Sequence, residues 1–202
     1  IQGSGSGTVI KPTSGIGVSL AAGVDGTNRT VLRSLNIEGN GSATGIVAGS
    51  HTTVEDVTSS GHASYGISLN QGTDLDIADS HFDGNNVGMK IGSAVSFTEI
   101  EITGSTFDNN SQGWYSDANQ STAPILQGVV IENTSFSGNG IKGFYTERLS
   151  DAVFDNVTVA DNANSSGYNF GAGIDINLKW RSDYASIEIK NSTFTNNGNG
   201  SL

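Results

Sequence analysis

Apolar and polar positions follow a short pattern that recurs at intervals of 22 to 35 residues along the chain. An apolar residue is followed three positions later by a small or apolar one, then by a second apolar residue and finally by Asn. The clear copies contain "SHFDGN" (80–85), "STFDNN" (105–110), "TSFSGN" (134–139) and "STFTNN" (192–197), and weaker copies begin at Leu32, Val54 and Phe154. Alternation with a period of two predicts short β-strands rather than helices.

A second strand-like phrase follows each copy and begins with Gly and an apolar residue. It starts at Gly45, Gly66, Gly88, Gly113, Gly143 and Gly173, with an upstream copy at Gly15. We expect these glycines to supply the positive φ of a corner. Two strands and tight turns per repeat predict a solenoid. Leucine-rich repeats have a similar period, but they pair Leu-rich strands with helical segments, so a parallel β-helix is the better interpretation.

In such a solenoid equivalent residues stack about 4.8 Å apart along the axis. The repeat then predicts an aromatic column inside (Phe82, Phe107, Phe136, Val159, Phe194) and an aliphatic one (Ile77, Ile102, Ile131, Phe154, Ile189). It also predicts a corner ladder of Asn40, His62, Asn85, Asn110, Asn139, Asn162 and Asn197. Side-chain amides in this position can satisfy backbone groups of the neighbouring turn. We therefore interpret His62 as structural.

The repeated strand–turn–Asn phrase, over residues 1–197, resembles the right-handed parallel β-helix (pectin-lyase-like) superfamily, without matching a specific member. The resemblance implies an all-β, right-handed parallel β-helix solenoid of about seven to eight coils, with an Asn ladder and internal Phe and Ile stacks. We predict a single domain over residues 1–202. Because we find no capping helix at either end, we interpret it as a module of a longer protein, with coil ends that associate with flanking domains or another copy.

The charge and composition of the chain limit the classes of partner that it can bind. The chain has 9 Lys and Arg against 20 Asp and Glu, a net charge of −11 and no Cys. This balance excludes nucleic acid and anionic membrane surfaces, which basic residues attract. No apolar run reaches the roughly 18 residues of a membrane span, so we expect no membrane insertion. Abundant Gly, Asn, Ser and Thr indicates a secreted or cell-surface bacterial protein.

The resemblance implies action on polysaccharides, on the outer face of one sheet and its loops. Two long loops, Asp117–Gln127 and Leu178–Ala185, are expected to flank such a face. The outward residues expected there are Lys90, Tyr115, Asp117, Tyr145, Glu147, Asp175 and Asn177, with Arg148, Lys179, Trp180, Arg181, Lys142 and Tyr184 nearby. Aromatic rings can contact sugar rings, and carboxylates and amides can bind their hydroxyls. An ordinary solvated face is the alternative.

Acidic residues suggest a second site. Asp76 is expected to stack on Glu101, and Asp83 on Asp108. Like charges about 4.8 Å apart repel unless a cation or solvent screens them. Ca²⁺ prefers carboxylate and carbonyl oxygens, so we predict calcium at these pairs. A solvated acidic face is again the alternative.

Two functions remain open. The first is an extracellular polysaccharide-binding or polysaccharide-processing module. Because the clustered Asp of the superfamily's hydrolases is missing, lyase or epimerase chemistry fits better than hydrolysis, and whether the chain is an enzyme stays undecided. The second is a structural spacer or adhesin segment of a large bacterial surface protein without catalytic activity. The low aromatic content of 7% favours the second.

Overall fold

The computed structural model describes residues 1–5, 7–41, 43–163, 171–180 and 184–198, which form seventeen strands and no helix. Sheet A contains eight parallel strands, namely β1 (Val9–Ile10), β3 (Thr30–Glu38), β5 (Thr52–Ser60), β7 (Gly72–Ala78), β9 (Phe97–Thr103), β11 (Leu126–Glu132), β13 (Leu149–Asp155) and β16 (Ile187–Lys190). Sheet B contains seven, namely β2 (Ile16–Leu20), β4 (Thr44–Ala48), β6 (Tyr65–Leu69), β8 (Val87–Ile91), β10 (Gln112–Ser116), β12 (Lys142–Thr146) and β15 (Ala172–Ile176). Strands β14 (Thr158–Ala160) and β17 (Thr193–Thr195) pair in a third.

The chain alternates between the two large sheets, so each full coil supplies one strand to each. Six coils are complete, namely β3–β4, β5–β6, β7–β8, β9–β10, β11–β12 and β13–β15. Two shorter coils lie at the ends: β1–β2, whose strand in sheet A has only two residues, and β16–β17, which has no described strand in sheet B. The parallel solenoid is therefore confirmed, with slightly fewer complete coils than the seven to eight expected.

The core lies between the sheets and is built of the predicted columns. Their last members, Ile189 and Phe194, keep the register but are 42% and 45% exposed, because no described coil covers them, so they are not part of the core. Ile77 pairs with Ile102, which pairs with Ile131 on its other side. The ring centroids of Phe82 and Phe107 are 5.1 Å apart, and the rings are nearly parallel. Each stacked aromatic pair adds about 0.5–1.5 kcal/mol to the stabilisation from burial alone. The aromatic and aliphatic columns are therefore a main source of stability.

The Asn ladder is confirmed from His62 to Asn197. The backbone N–H of Asn85 donates to Oδ1 of Asn110 at 2.7 Å, and Nδ2 of Asn110 donates to the Phe82 carbonyl at 3.0 Å. Equivalent backbone-to-Oδ1 bonds run from His62, Asn110, Asn139 and Asn162 to the ladder residue of the next coil. The side chain of Asn110 thus satisfies a backbone N–H and a carbonyl of the preceding coil, and Asn85 and Asn197 do the same.

Asn40 does not belong to the ladder, contrary to expectation, because its side chain is exposed. In the following coils a residue with positive φ, such as Gly61 or Gly84, immediately precedes the ladder position. In the coil of Asn40 the residue with positive φ is Gly41, which follows it. The turn is therefore displaced, and Asn40 points away from its neighbour in the next coil.

The glycines that begin the sheet B strands are needed for a different reason from the one expected. Gly15 has positive φ, but Gly88, Gly113 and the other four do not. An added Cβ on Gly88 would lie 2.6 Å from the carbonyl oxygen of Gly113, and one on Gly113 would lie 2.4 Å from that of Gly143. Neighbouring coils approach so closely at this column that a side chain does not fit.

We expect Gly88→Ala to destabilise the protein by about 1–3 kcal/mol, as overpacking does in other cores, because its methyl group meets backbone atoms on two sides. Thermal or urea unfolding measures the change. Gly7→Ala is the matched control, since the space around Gly7 is open and its φ is not positive. Equal stability of the two variants would contradict the close-approach explanation.

His62 makes the ladder sensitive to acid. Its side chain is 2% exposed, and burial lowers its pKa below the usual value, although a hydrogen bond with the Ile37 backbone raises it in part. The unfolded chain therefore binds the proton more readily than the folded one. The stability contributed by the neutral ring is complete above the unfolded pKa of about 6.5 and is lost as the pH falls through the lower folded pKa.

His62→Asn should remove this acid-dependent loss, because Asn is the residue of the other rungs and does not titrate. As the pH is lowered from about 7 to about 5, the melting temperature of the variant should fall less than that of the wild type. His81→Asn, at an exposed position, serves as the control. If both variants keep the wild-type pH profile, His62 is not the group responsible.

Candidate functional site

One stretch of the outer surface of sheet B collects lysines, tyrosines and carboxylates. We call it the tyrosine face, and it comprises Lys90, Tyr115, Asp117, Lys142, Tyr145, Glu147, Asp175, Lys179 and Trp180. The register of β8, β10, β12 and β15 places Lys90, Tyr115, Tyr145 and Asp175 in one column. Successive residues of a strand point to opposite sides, so these residues face outward while Trp114, next to Tyr115, is fully buried. The strand pattern in the sequence therefore located this column correctly.

Lys90 links the first tyrosine to the first loop. Its Nζ lies 2.9 Å from Oδ1 of Asp117 and 3.7 Å from the centroid of the Tyr115 ring. Burial lowers the pKa of Lys90, and the hydrogen bond with Asp117 offsets part of that effect. The ammonium group is thus held between a carboxylate and an aromatic ring.

Lys142, two coils further on, also contacts a carboxylate and a tyrosine ring. It forms an ion pair with Asp175, and its Nζ lies 4.0 Å from the centroid of the Tyr145 ring. The two tyrosine rings are 5.3 Å apart with planes tilted by 39°. Ammonium groups and the neighbouring ring therefore cover part of both tyrosine surfaces.

Glu147 is buried, with 4% exposure, contrary to the expectation that it faces outward, and it is the centre of the hydrogen-bond network. Its carboxylate accepts hydrogen bonds from the Tyr145 hydroxyl, from Nζ of Lys179 and, at 2.8 Å, from the backbone N–H of Ala118. Burial raises the pKa of Glu147, but these donors outweigh it and leave the pKa below its usual value. Burial and the bond to Glu147 together raise the pKa of Tyr145, and burial raises that of Tyr115. At neutral pH the carboxylate is therefore ionised and both phenols are protonated.

Arg148 lies beneath the tyrosine face rather than on it, which corrects the expectation that it contacts a ligand. It is 1% exposed, and burial lowers its pKa to about 10. Its guanidinium donates to four backbone carbonyls, those of Gly92 (2.6 Å), Val95 (2.6 Å), Asp117 (2.8 Å) and Pro124 (2.7 Å). Arg148 therefore fixes the loops 92–96 and 117–125.

Trp180 is held in an unusual conformation at the edge of the face. Its side chain is 61% exposed, its φ is 70°, and its Nε1 donates to the Ala118 carbonyl at 3.3 Å. Positive φ is rare for a bulky residue, and strained residues of this kind concentrate at functional sites. The hydroxyl of Tyr184 donates to the Lys179 carbonyl at 2.8 Å. Asn177 is exposed nearby, and Arg181 lies outside the described residues.

The acidic pairs fall on two other surfaces. Asp76 does lie opposite Glu101 on sheet A, beside a cavity of about 230 Å³. Sequence reasoning missed Arg29, which lies 3.0 Å from Asp76 and also pairs with Asp74, and His51, which lies 2.8 Å from Asp74. Burial raises the pKa of Asp76, while Arg29 lowers it in part. Arg29 therefore balances part of the acidic charge there, since Glu99 and Glu101 also line the cavity.

Asp83 and Asp108 are bound by groups of the neighbouring coil. Asp83 accepts from the Thr106 hydroxyl at 2.9 Å and from the backbone of Asp108 at 2.8 Å. Asp108 accepts from the Ser135 hydroxyl at 2.9 Å and from the backbone of Ser137 at 2.6 Å. Burial raises the pKa of Asp108. Within the described ranges no group of three or more His, Cys, Asp or Glu could hold a metal ion, so calcium stays a prediction.

These observations define the class of protein as a parallel β-helix with a polar, aromatic outer face. A family model described as the right-handed beta helix region matches residues 5–126, more than half of the chain, and the chain belongs to that family. The match includes Lys90, Tyr115 and Asp117 but ends before Tyr145 and Glu147. No curated protein and no solved structure matches the chain. Across the described residues, no helix is long and apolar enough to cross a membrane.

Replacement of Arg148 tests its structural role. Arg148→Met should destabilise the protein by at least about 3 kcal/mol, because it leaves four carbonyls without their charged donor. Chemical unfolding gives the free energy, and limited proteolysis reports opening of the loop 117–125. Arg33→Met is the control, since Arg33 is exposed. Unchanged stability of Arg148→Met would contradict the assignment.

Proposed function

We propose that this protein is a polysaccharide-binding β-helix module and that the tyrosine face is its binding surface. The observation that carries the proposal is Trp180, whose indole ring is 61% exposed while its N–H is bonded to the opposite loop. Exposing a large apolar ring in a strained backbone conformation costs free energy. A ligand that covers the ring offers a reason for that cost.

The chemistry next to Trp180 suits a sugar. Pyranose rings present apolar C–H surfaces that pack on aromatic rings, together with hydroxyls that donate and accept hydrogen bonds. Lys179 provides a polar group beside the indole, and the tyrosine column extends the surface across two more coils. The loops that frame it are anchored on a rigid scaffold, as is usual for binding sites.

The protonation states favour binding over bond cleavage. A general base must be able to accept a proton near neutral pH, and a general acid must carry one that it can release. The raised pKa values of Tyr115 and Tyr145 make the phenols poor bases, and the lowered pKa of Glu147 makes it a poor acid. We therefore favour recognition of a polysaccharide over lyase or epimerase chemistry, in the extracellular setting that the composition indicates.

A structural spacer or adhesin segment is the second candidate, and one observation favours it. Lys90, Lys142 and Lys179 each contact a carboxylate, and two of them also contact a tyrosine ring. Such a network stabilises the solenoid without any ligand. If this is its only role, changes on the tyrosine face will lower stability and will alter no binding property.

A glycan array followed by calorimetry separates the two candidates. The folded wild-type protein should bind a defined glycan, and Trp180→Ala should weaken the affinity at least about tenfold, as loss of an aromatic anchor does. Trp180→Phe should retain most of the affinity because it keeps an aromatic surface.

Val24→Ala is the matched control, because Val24 is 82% exposed and lies in a loop between β2 and β3. Its affinity should equal that of the wild type. Folded wild-type protein that binds no glycan, or Trp180→Ala that binds as tightly as the wild type, would move the assignment to the structural segment.

A further inference from the structure

We propose that the ligand of the tyrosine face is an uncharged polysaccharide rather than a polymer of uronic acids. This inference rests on the proposed function and specifies its substrate class. It follows from the pairing of charges on the face, from the position of Arg148 and from the charge of the whole chain.

The lysines of the face are each in contact with a carboxylate. Lys90 lies 2.9 Å from Asp117, Lys142 pairs with Asp175, and Lys179 pairs with Glu147. A lysine that binds the carboxylate of a uronate must share its charge with this partner, and the partner repels the ligand. A neutral sugar hydroxyl can instead donate to the partly exposed carboxylates of Asp117 and Asp175 while the ion pairs stay intact.

Arg148 does not replace these lysines as an anion-binding group. Recognition of a carboxylate by arginine uses two parallel N–H donors of the guanidinium. The structure shows Nε, Nη1 and Nη2 of Arg148 bonded to backbone carbonyls, with the side chain 1% exposed. Its charge is therefore committed to holding the loops.

The surrounding charge also opposes an anionic polymer. The chain carries a net charge of −11, so a polyuronate approaches against long-range repulsion unless a basic patch compensates. On the described part of the tyrosine face, the three lysines are matched by Asp117, Asp175 and Glu147. An uncharged polymer approaches without this barrier.

Binding to matched polymers tests the inference directly. Titration calorimetry compares galactan with polygalacturonate and mannan with polymannuronate, so that each pair differs mainly in the carboxylate. The wild-type protein should bind the neutral member at least tenfold more tightly. Raising the salt from about 20 mM to about 300 mM should leave that affinity unchanged, because salt screens only charged interactions.

Two isosteric variants test the role of the ion pairs. Asp117→Asn and Asp175→Asn free Lys90 and Lys142, and each should raise the affinity for the uronate polymer several-fold, with the gain lost at high salt. Asp56→Asn is the control, since Asp56 is exposed on sheet A and the substitution changes the net charge equally. Thermal melts confirm that all three variants are folded.

The outcomes separate the two proposals. Tighter binding of wild-type protein to the uronate, weakening with salt, would overturn the substrate class and leave a polysaccharide-binding face in place. If Asp56→Asn and Asp117→Asn raise the affinity for the uronate polymer equally, that affinity depends on net charge rather than on the ion pairs, and the inference is also overturned. Binding to neither class would remove the proposed function together with this inference.

Discussion

Coil-to-coil register is the constraint on which the rest of the molecule depends. Parallel pairing places each residue directly over the equivalent residue of the next coil. Each side chain must therefore pack against a similar side chain about 4.8 Å away. Phe107 meets this requirement by stacking between Phe82 and Phe136, and the ladder asparagines by exchanging hydrogen bonds. Where the backbones come closest, only glycine satisfies it.

The same constraint shapes the tyrosine face. Stacked columns of one charge would repel, so charged side chains on a solenoid need partners in neighbouring columns or in loops. Here the partners come from both sources. Asp117 reaches Lys90 from the loop after β10, whereas Asp175 meets Lys142 from the next strand. The result is a surface rich in charged groups whose charges are locally balanced.

Sequence reasoning recovered the columns because they depend only on the repeat, and periodicity is visible in the residue order. It placed Lys90, Tyr115, Tyr145 and Asp175 together for the same reason. Sequence reasoning placed Arg148 on the surface and could not predict its burial, because its acceptors are carbonyls from loops of different coils.

Two other errors have a similar physical origin. The Gly column was attributed to backbone conformation, whereas it depends on the distance between coils, which no single repeat displays. The contacts of Asp74 with Arg29 and His51 join residues 45 and 23 positions apart that follow no repeated pattern. Local propensity describes neither kind of contact.

The loop after β10 has a consequence for engineering and for evolution. It leaves and rejoins the scaffold without disturbing the pairing of β10 with β12 or of β9 with β11. Arg148 binds a carbonyl at each of the two ends of the loop, Asp117 and Pro124, while residues 119–122 between them are exposed. Whether by engineering or in evolution, we therefore expect segments of different length between residues 119 and 122 to leave the coils unchanged.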